Sequence, residues 1–265
     1  GVFLPANLGG ATRALKRIMI DREFGTSGIV IQERISGREV SQLAFSDGKT
    51  IVPLLPAQDH KRVNDGDRGS NTGGMGAFCP APLSLKLQNE IFEKVLVPTI
   101  KGMAKEGNVY KGILYAGLMI TESGPKVLEY NARFGDPETQ PLMMLLASDL
   151  FNIMKSCTNQ TLKKSLVTFR GGSALCVVLA SSGYPAKYEI GKVISGLDAG
   201  DDDLQTFHAG TKASGGNILT DGGRVLGVTA YGKTMADARK KAYSRIGKDG
   251  GHFAGMHFRH DIGKS

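Results

Sequence analysis

The residues best suited to chemistry by type and spacing lie at positions 129–136, Glu-Tyr-Asn-Ala-Arg-Phe-Gly-Asp, at the end of a predicted strand. Alternate residues of a strand face the same side, so Glu129 and Asn131 can present two oxygen ligands to one hard cation. Mg²⁺ favours such a sparse set of protein oxygens, completed by phosphate oxygens and water. Arg133 adds a planar guanidinium suited to phosphate, and Asp136 adds a carboxylate able to hold or deprotonate an amine. The segment alone leaves a second interpretation open, in which these are polar edge-strand residues and Arg133 pairs with Asp136.

A second candidate is the glycine-rich stretch at residues 66–76, which follows Gln-Asp-His-Lys-Arg at residues 58–62. Successive glycines allow backbone N–H groups to converge on an anion. Lys61 and Arg62 would add positive charge there, and Asn71 a neutral contact. The stretch is not a Walker loop, because no Gly-Lys-Ser/Thr ends it ahead of a helix. By itself it is also compatible with a flexible surface loop.

The third candidate lies at residues 31–39, Ile-Gln-Glu-Arg-Ile-Ser-Gly-Arg-Glu. A strand with one carboxylate, a turn and a second carboxylate at Glu39 can line a nucleotide, with backbone groups on adenine and a carboxylate on the ribose hydroxyls. Read alone, the stretch favours a plain hairpin with surface charges. The histidines do not assemble with serine or cysteine into a nucleophilic triad pattern, although His60 lies within the second candidate.

Periodicity predicts the elements that must position these residues. Helices are expected over residues 11–23, 84–106 (with a kink or restart at Pro98), 137–156 and 234–246. Strands are expected over residues 28–33, 39–45, 50–53, 112–120, 126–130, 174–180, 205–209 and 224–230. Residues 56–82 lack periodicity and are predicted to form a long ordered loop, a feature that tends to be functional in compact domains. Past residue 158 the expected elements become short strands separated by glycine-rich turns. This change predicts two domains, residues 1–157 and residues 158–265.

Bulk composition restricts the class of protein. The 265 residues are 41% apolar and 22% charged, as in ordinary soluble globular proteins. No apolar run approaches the roughly 18 residues needed to cross a bilayer. The three cysteines lie far apart, without metal or redox spacing, which favours a reducing compartment. The net charge of +8 comes from scattered basic residues, which favours small anionic substrates over nucleic acid.

With these segments in view, the chain resembles the glycinamide ribonucleotide synthetases (phosphoribosylamine–glycine ligases), a family of ATP-grasp enzymes. The matching stretches are long, occur in the family's order and span nearly the whole chain. They lie at residues 56–62, 71–77, 115–117, 126–131, 133–140, 207–211 and 222–226.

The resemblance implies an α+β fold: a partial ATP-grasp domain of mostly antiparallel sheets flanked by helices, followed by a small, mostly β C-terminal domain. It implies ATP-dependent ligation of glycine to 5-phosphoribosylamine through a glycyl phosphate, in de novo purine biosynthesis. ATP and Mg²⁺ (or Mn²⁺) are the implied cofactors. No nucleic-acid or membrane partner is expected, the location is expected to be cytoplasmic, and fusion to other purine-pathway enzymes is open.

The resemblance also assigns roles to individual residues. The adenine-contacting segment would be Gln32, Glu33, Arg34 and Ile35, with Glu39 on the ribose and Lys61, Arg62 and Asn71 near the nucleotide. Glu129 and Asn131 would hold the metal, Arg133 and Asp136 would be catalytic and substrate-binding, and Asp59, Gly73 and Gly74 would contact substrate.

Family members begin with a further domain and a phosphate-covering loop, so the chain is expected to be an N-terminally truncated fragment that is inactive alone. Two alternatives remain. One is another ATP-grasp carboxylate–amine ligase, and the other is a non-catalytic nucleotide-binding module.

Overall fold

The computed structural model describes residues 2–25, 28–197 and 200–264. The chain divides into two compact units, Gly1–Gly37 and Arg38–Ser265. No helix among the described residues is long and apolar enough to cross a membrane.

The first unit contains one helix. Helix α1 (Leu8–Leu15) begins where the Asn7 side chain accepts a hydrogen bond from the Gly10 amide at 2.9 Å, and it continues as a π-helical turn, Lys16–Ile20. The helix predicted at residues 11–23 therefore begins three residues earlier than expected, and it also ends earlier.

The strand predicted at residues 28–33 is wrong, because the structure has no strand there. Val30 and Ile31 are about four-fifths exposed, at 80% and 78%. Their β-branched side chains favour an extended backbone, but a strand also needs a neighbour for its N–H and C=O groups.

The second unit combines helices with antiparallel sheets, as expected for an α+β protein. Its strands are β1 (Arg38–Ser46), β2 (Ile51–Pro53), β3 (Gln58–Asp59), β4 (Arg62–Asn64), β5 (Arg68–Asn71), β6 (Gly76–Cys79), β7 (Gly112–Thr121), β8 (Gly124–Asn131), β9 (Ser173–Ala180), β10 (Val193–Ile194), β11 (Leu204–His208), β12 (Thr211–Ser214), β13 (Asn217–Thr220) and β14 (Arg224–Gly232). Its α-helices are α2 (Leu85–Ile91), α3 (Val97–Lys105), α4 (Thr139–Leu145), α5 (Leu150–Thr158) and α6 (Met235–Arg245).

A four-stranded antiparallel sheet in the order β2-β1-β7-β8 has helices on both faces. Successive side chains of β1 point to opposite faces of the sheet, so Leu43 and Phe45 pack against α4 and α5, whereas Ala44 packs against α2 and α3. The strands predicted at 39–45, 50–53, 112–120 and 126–130 are confirmed.

A five-stranded antiparallel sheet in the order β11-β14-β9-β6-β3 forms the second layer. Its core packs against α6, and α6 begins with a capping box in which Thr234 and Asp237 exchange hydrogen bonds. The sheet joins strands from both sides of the division predicted at residue 157, and that division stays a prediction. A further three-stranded sheet, β10-β13-β12, was not expected from the sequence.

Two predicted elements are corrected in form. The loop predicted at residues 56–82 contains four short strands, of which β6 pairs with β9 about a hundred residues later. Strands of two to four residues are too short to show a period. The helix predicted at 137–156 is two helices, and the one predicted at 84–106 is interrupted by a π-helical turn, Phe92–Leu96, with Pro98 in the first turn of α3.

The central position of β9 predicts unequal costs for two leucine truncations. Leu175 on β9 is fully buried, whereas Leu85 is 77% exposed. We expect Leu175→Ala to lower the free energy of unfolding by about 2–5 kcal/mol. Leu85→Ala should change it by less than about 0.5 kcal/mol. Urea denaturation of both variants measures the difference, and equal costs would contradict the placement of β9 in the core.

Candidate functional site

Glu129 and Asn131, at the end of β8, face the same side of the sheet, as predicted from the alternation of side chains along a strand. Glu129 pairs in register with Gly117 on β7, and Asn131 with Tyr115. The Asn131 amide nitrogen donates to Glu129 Oε1 at 3.3 Å, so the two side chains share one side of the sheet. A Cβ at position 117 would lie 3.4 Å from Glu129 Cγ, which shows that glycine there leaves room for the carboxylate arm.

Lys61 lies among three carboxylates next to this pair. Its ammonium nitrogen is 2.5 Å from Glu39 Oε2. Burial by itself would lower the pKa of Lys61, but the hydrogen bond and charge of Glu39, together with the charges of Asp59 and Glu129, raise it. Lys61 is therefore a fixed positive charge at a mostly acidic strand end.

Asp59 on β3 carries an unpaired buried oxygen. Its Oδ1 is sealed from solvent and has no hydrogen-bond partner among the described residues. Burial and the nearby Glu138 charge raise the pKa of Asp59 well above its usual value, against the opposing charges of Lys61 and Arg224. A Cβ at Gly74 would lie 2.7 Å from this oxygen, so the glycine permits the backbone to close over the carboxyl group.

A buried hydrogen-bonded triangle lies beneath these groups. Glu138 Oε1 accepts from Ser41 Oγ at 2.8 Å and from Tyr115 Oη at 2.6 Å, and the two hydroxyl oxygens are 2.8 Å apart. Glu138 is 2% exposed, Ser41 4% and Tyr115 7%. The triangle joins β1, β7 and the segment before α4, and it compensates a carboxylate that would be costly to bury alone.

Arg224 on β14 connects the Gly73–Gly74 turn to residue 136. It donates to the carbonyl oxygens of Gly73 and Asp136, each at 2.8 Å, and to Asp136 Oδ2 at 2.9 Å. Gln140 donates to Asp136 Oδ1 at 3.2 Å. Asp136 therefore pairs with Arg224, and the alternative ion pair between Arg133 and Asp136 is not formed. Arg133 is exposed, and it donates to the neighbouring carbonyl of Phe134.

The glycine-rich stretch forms a hairpin instead of a concave run of free N–H groups. Strands β4 and β5 pair Arg62 with Asn71, and the Arg62 side chain donates to the Gly69 carbonyl at 2.8 Å. The amides at positions 66, 73 and 74 donate to the Asp261 carboxylate, the Tyr184 hydroxyl and the Thr72 hydroxyl, respectively. These three amides are already hydrogen-bonded within the protein, and the substrate contacts assigned to Gly73 and Gly74 stay predictions.

The structure brings most of the predicted residues into one region of the second unit. Lys61, Glu39, Asp59, Glu129 and Asn131 form one group, and Gly73, Gly74 and Asp136 form a second group around Arg224. Gln32, Glu33, Arg34 and Ile35 belong to the first unit.

Sequence reasoning missed Glu138, Ser41, Arg224 and Tyr184. Glu138 and Arg224 lie inside stretches quoted for the family resemblance, at 133–140 and 222–226, so the resemblance was the only available signal. Their partners are distant in sequence: Ser41 is 97 residues from Glu138, and Arg224 is 88 from Asp136.

Comparison with known families decides the relationship. Residues 1–139 match the family model described as phosphoribosylglycinamide synthetase, ATP-grasp (A) domain, and residues 174–265 match the C domain of the same synthetase. The chain belongs to the phosphoribosylglycinamide synthetase family. The resemblance inferred from the quoted stretches is thereby confirmed.

Individual members of the phosphoribosylglycinamide synthetase family agree with this assignment. The chain is 47% identical to the phosphoribosylamine–glycine ligase of Synechocystis, over 99% of this chain and 62% of that protein. It is also 47% identical to the human trifunctional purine biosynthetic protein adenosine-3, over 99% of this chain and 26% of that protein. The chain thus spans less than two thirds of the length of these relatives.

Solved structures give the fold. The crystal structure of the Thermotoga maritima phosphoribosylamine–glycine ligase matches with a TM-score of 0.86 and 38% identity, over 95% of this chain and 62% of that one. A biotin carboxylase domain from Hydrogenobacter thermophilus matches with a TM-score of 0.70 at 13% identity, over 95% of this chain and 54% of that one. The expected α+β ATP-grasp fold is confirmed.

The buried carboxyl of Asp59 predicts a pH-dependent stability difference. Because its folded-state pKa is raised, Asp59 favours the folded protein most below the unfolded-state pKa of about 3.9, and this advantage is lost as the pH rises. Asparagine does not titrate. The melting temperature of Asp59→Asn relative to the unsubstituted protein should therefore increase as the pH rises above about 4 and level off once the pH passes the folded-state pKa of Asp59. A constant or falling difference would contradict the raised pKa.

Proposed function

We propose that the protein containing this chain ligates glycine to 5-phosphoribosylamine at the expense of ATP, giving glycinamide ribonucleotide, ADP and phosphate. The observation that carries the proposal is the convergence of Glu129, Asn131, Lys61 and Glu39 at one strand end, beside the buried carboxyl of Asp59. The residues proposed to bind metal and phosphate thus adjoin the carboxyl group of Asp59.

Glu129 and Asn131 would hold Mg²⁺ or Mn²⁺. Both offer hard oxygen ligands from one side of a strand, and the 3.3 Å hydrogen bond from Asn131 Nδ2 to Glu129 Oε1 supports a shared ion, because it places the two side chains next to each other. Two protein ligands leave the other positions of an octahedron to phosphate oxygens and water. When bound, the ion would neutralise phosphate charge during transfer.

Lys61 and Glu39 would lie along the nucleotide. The pair holds the Lys61 ammonium near Glu129, where it can neutralise phosphate charge, and Glu39 can accept from ribose hydroxyls. Arg62 and Asn71 would contribute from the adjoining hairpin. The segment Gln32–Ile35 would supply the adenine contacts, which is an inference from the family resemblance alone.

The substrates would occupy the region around Asp59, Gly73, Gly74, Arg133 and Asp136. The buried Oδ1 of Asp59 has no hydrogen-bond partner among the described residues, and an ammonium or amine group would satisfy it once the site opens to expose it. The exposed guanidinium of Arg133 is suited to a carboxylate or phosphate. Asp136 would act together with Arg224, which fixes its carboxylate and the Gly73 carbonyl.

The proposed reaction has two steps. The glycine carboxylate attacks the γ-phosphorus of ATP, forming an acyl phosphate and releasing ADP. The amine of 5-phosphoribosylamine then attacks the acyl carbon, the carbon–oxygen bond to phosphate breaks, and the amine loses a proton. The protein's contribution is to position the reactants and balance their charge, as in other phosphoryl transfers.

The names of the relatives bear on two further properties, fusion to other enzymes and cellular location. The human and chicken proteins are trifunctional, so fusion to other purine-pathway enzymes is possible for this family. A cytoplasmic location is proposed for this protein, whereas the Arabidopsis thaliana relative is named as chloroplastic.

Assays of the full-length protein separate this proposal from its rivals. ADP should form only when ATP, Mg²⁺, glycine and 5-phosphoribosylamine are all present. ADP formation with another carboxylate but not with glycine would favour a different ATP-grasp ligase. Stabilisation by MgATP without any ADP formation would favour a non-catalytic nucleotide-binding module.

The metal role predicts a loss of activity in Glu129→Gln. Replacing the charged ligand by an amide should reduce Mg²⁺-dependent kcat/KM by more than about tenfold, which is about 1.4 kcal/mol of barrier. The matched control is Glu122→Gln in the turn at the other end of the same hairpin, which should leave turnover unchanged. Equal activities of the two variants would remove Glu129 from the site.

A further inference from the structure

The C-terminal segment at residues 257–261 holds the β4–β5 hairpin at several points. The His257 ring nitrogen Nε2 lies 2.8 Å from the Val63 carbonyl oxygen, and the His260 backbone amide donates to Asp65 Oδ1 at 2.7 Å. The Gly66 amide donates to Asp261 Oδ2 at 2.8 Å. The contacting residues are almost two hundred positions apart in sequence.

Arg259 is the centre of this contact. Its side chain is 1% exposed, and it binds both oxygens of Asp261 at 2.7 Å. One nitrogen, Nη1, reaches the hairpin instead, donating to Asp67 Oδ1 at 2.8 Å and to the Arg62 carbonyl at 3.0 Å. A buried guanidinium requires such partners, so the position of the hairpin and the position of Arg259 depend on each other.

The hairpin has little else to hold it. Every residue of β5 is exposed, and a two-stranded hairpin alone is marginally stable in water. Asp67 at its tip has a left-handed backbone, with φ of 52°. Lys61 and Arg62 enter the hairpin, and the Lys61 carbonyl accepts from the Thr72 amide and hydroxyl at 2.8 Å each.

We propose that Arg259, through Asp67, is a positioning residue for nucleotide binding: it fixes the hairpin and thereby sets the place of Lys61. This inference rests on the proposed function only for the identity of the ligand, MgATP. Arg259 itself does not contact the reacting atoms. The C-terminal segment thus acts on the strand-end site without touching it.

Substitutions at Asp67 test the link while leaving the buried arginine its partner Asp261. Asp67→Gly removes the acceptor and suits the left-handed backbone, and Asp67→Asn keeps an acceptor without the charge. Asp221→Ala is the control, because it removes an exposed ion pair, with Lys212, in which no hairpin residue takes part.

Calorimetric titration of the full-length protein with MgATP, without glycine, gives the decisive readout. We expect Asp67→Gly to raise Kd at least about fivefold, near 1 kcal/mol. Asp67→Asn should fall between this value and the unsubstituted protein, and Asp221→Ala should bind normally. Trypsin should also cleave at Arg62 and Arg68 faster in Asp67→Gly.

Equal Kd values for Asp67→Gly and Asp221→Ala would overturn the inference, as would an absence of MgATP binding in the unsubstituted protein. Failure of the proposed function would look different, since it would leave MgATP binding intact while no glycine-dependent ADP forms. A stability loss without a change in Kd would make Arg259 purely structural and would likewise reject the positioning role.

Discussion

Compensation of buried charge is the constraint on which this site depends. A carboxylate removed from water needs hydrogen-bond donors or a counter-charge, and Glu138 receives two hydroxyl donors, from Ser41 and Tyr115. Because these hydroxyls belong to β1 and β7, the need of one carboxylate fixes the segment before α4 against the sheet. Two further carboxyl groups lie nearby: Asp136 pairs with Arg224, whereas Asp59 keeps one buried oxygen without a hydrogen-bond partner among the described residues.

The same constraint explains why residues from the C-terminal half of the chain contact the candidate site and the β4–β5 hairpin. Arg224 and Arg259 both come from residues after 220, and both are held by carboxylates and carbonyls that include groups from residues 62–73. The shared five-stranded sheet, with β6 paired to β9, provides the frame for these contacts. Removing the C-terminal half would leave Asp136 and Asp67 without their arginine partners.

The sequence predicted the features that depend on neighbouring residues. Alternation placed Glu129 and Asn131 on one side of a strand, and continuous apolar runs marked β7 and β9. Features that depend on distant residues were not predictable from pattern alone. The exposed stretch at Val30 and Ile31 has β-branched side chains but is not a strand. Within residues 56–82, β6 forms because β9 is available to pair with it, and β3 then pairs with β6. The triangle of Ser41, Tyr115 and Glu138 likewise joins residues that are distant in sequence, so no local pattern indicates it.

The most direct test of the central claim, that this site activates a carboxylate with ATP, follows the oxygen atoms of glycine. The full-length protein is incubated with glycine labelled with ¹⁸O in its carboxylate, MgATP and 5-phosphoribosylamine, and the released phosphate is analysed by mass spectrometry. We expect one glycine oxygen in each phosphate, because the bond broken by the amine is the one between the acyl carbon and the phosphate oxygen. Unlabelled phosphate, with its oxygen supplied by water, would contradict carboxylate activation at this site.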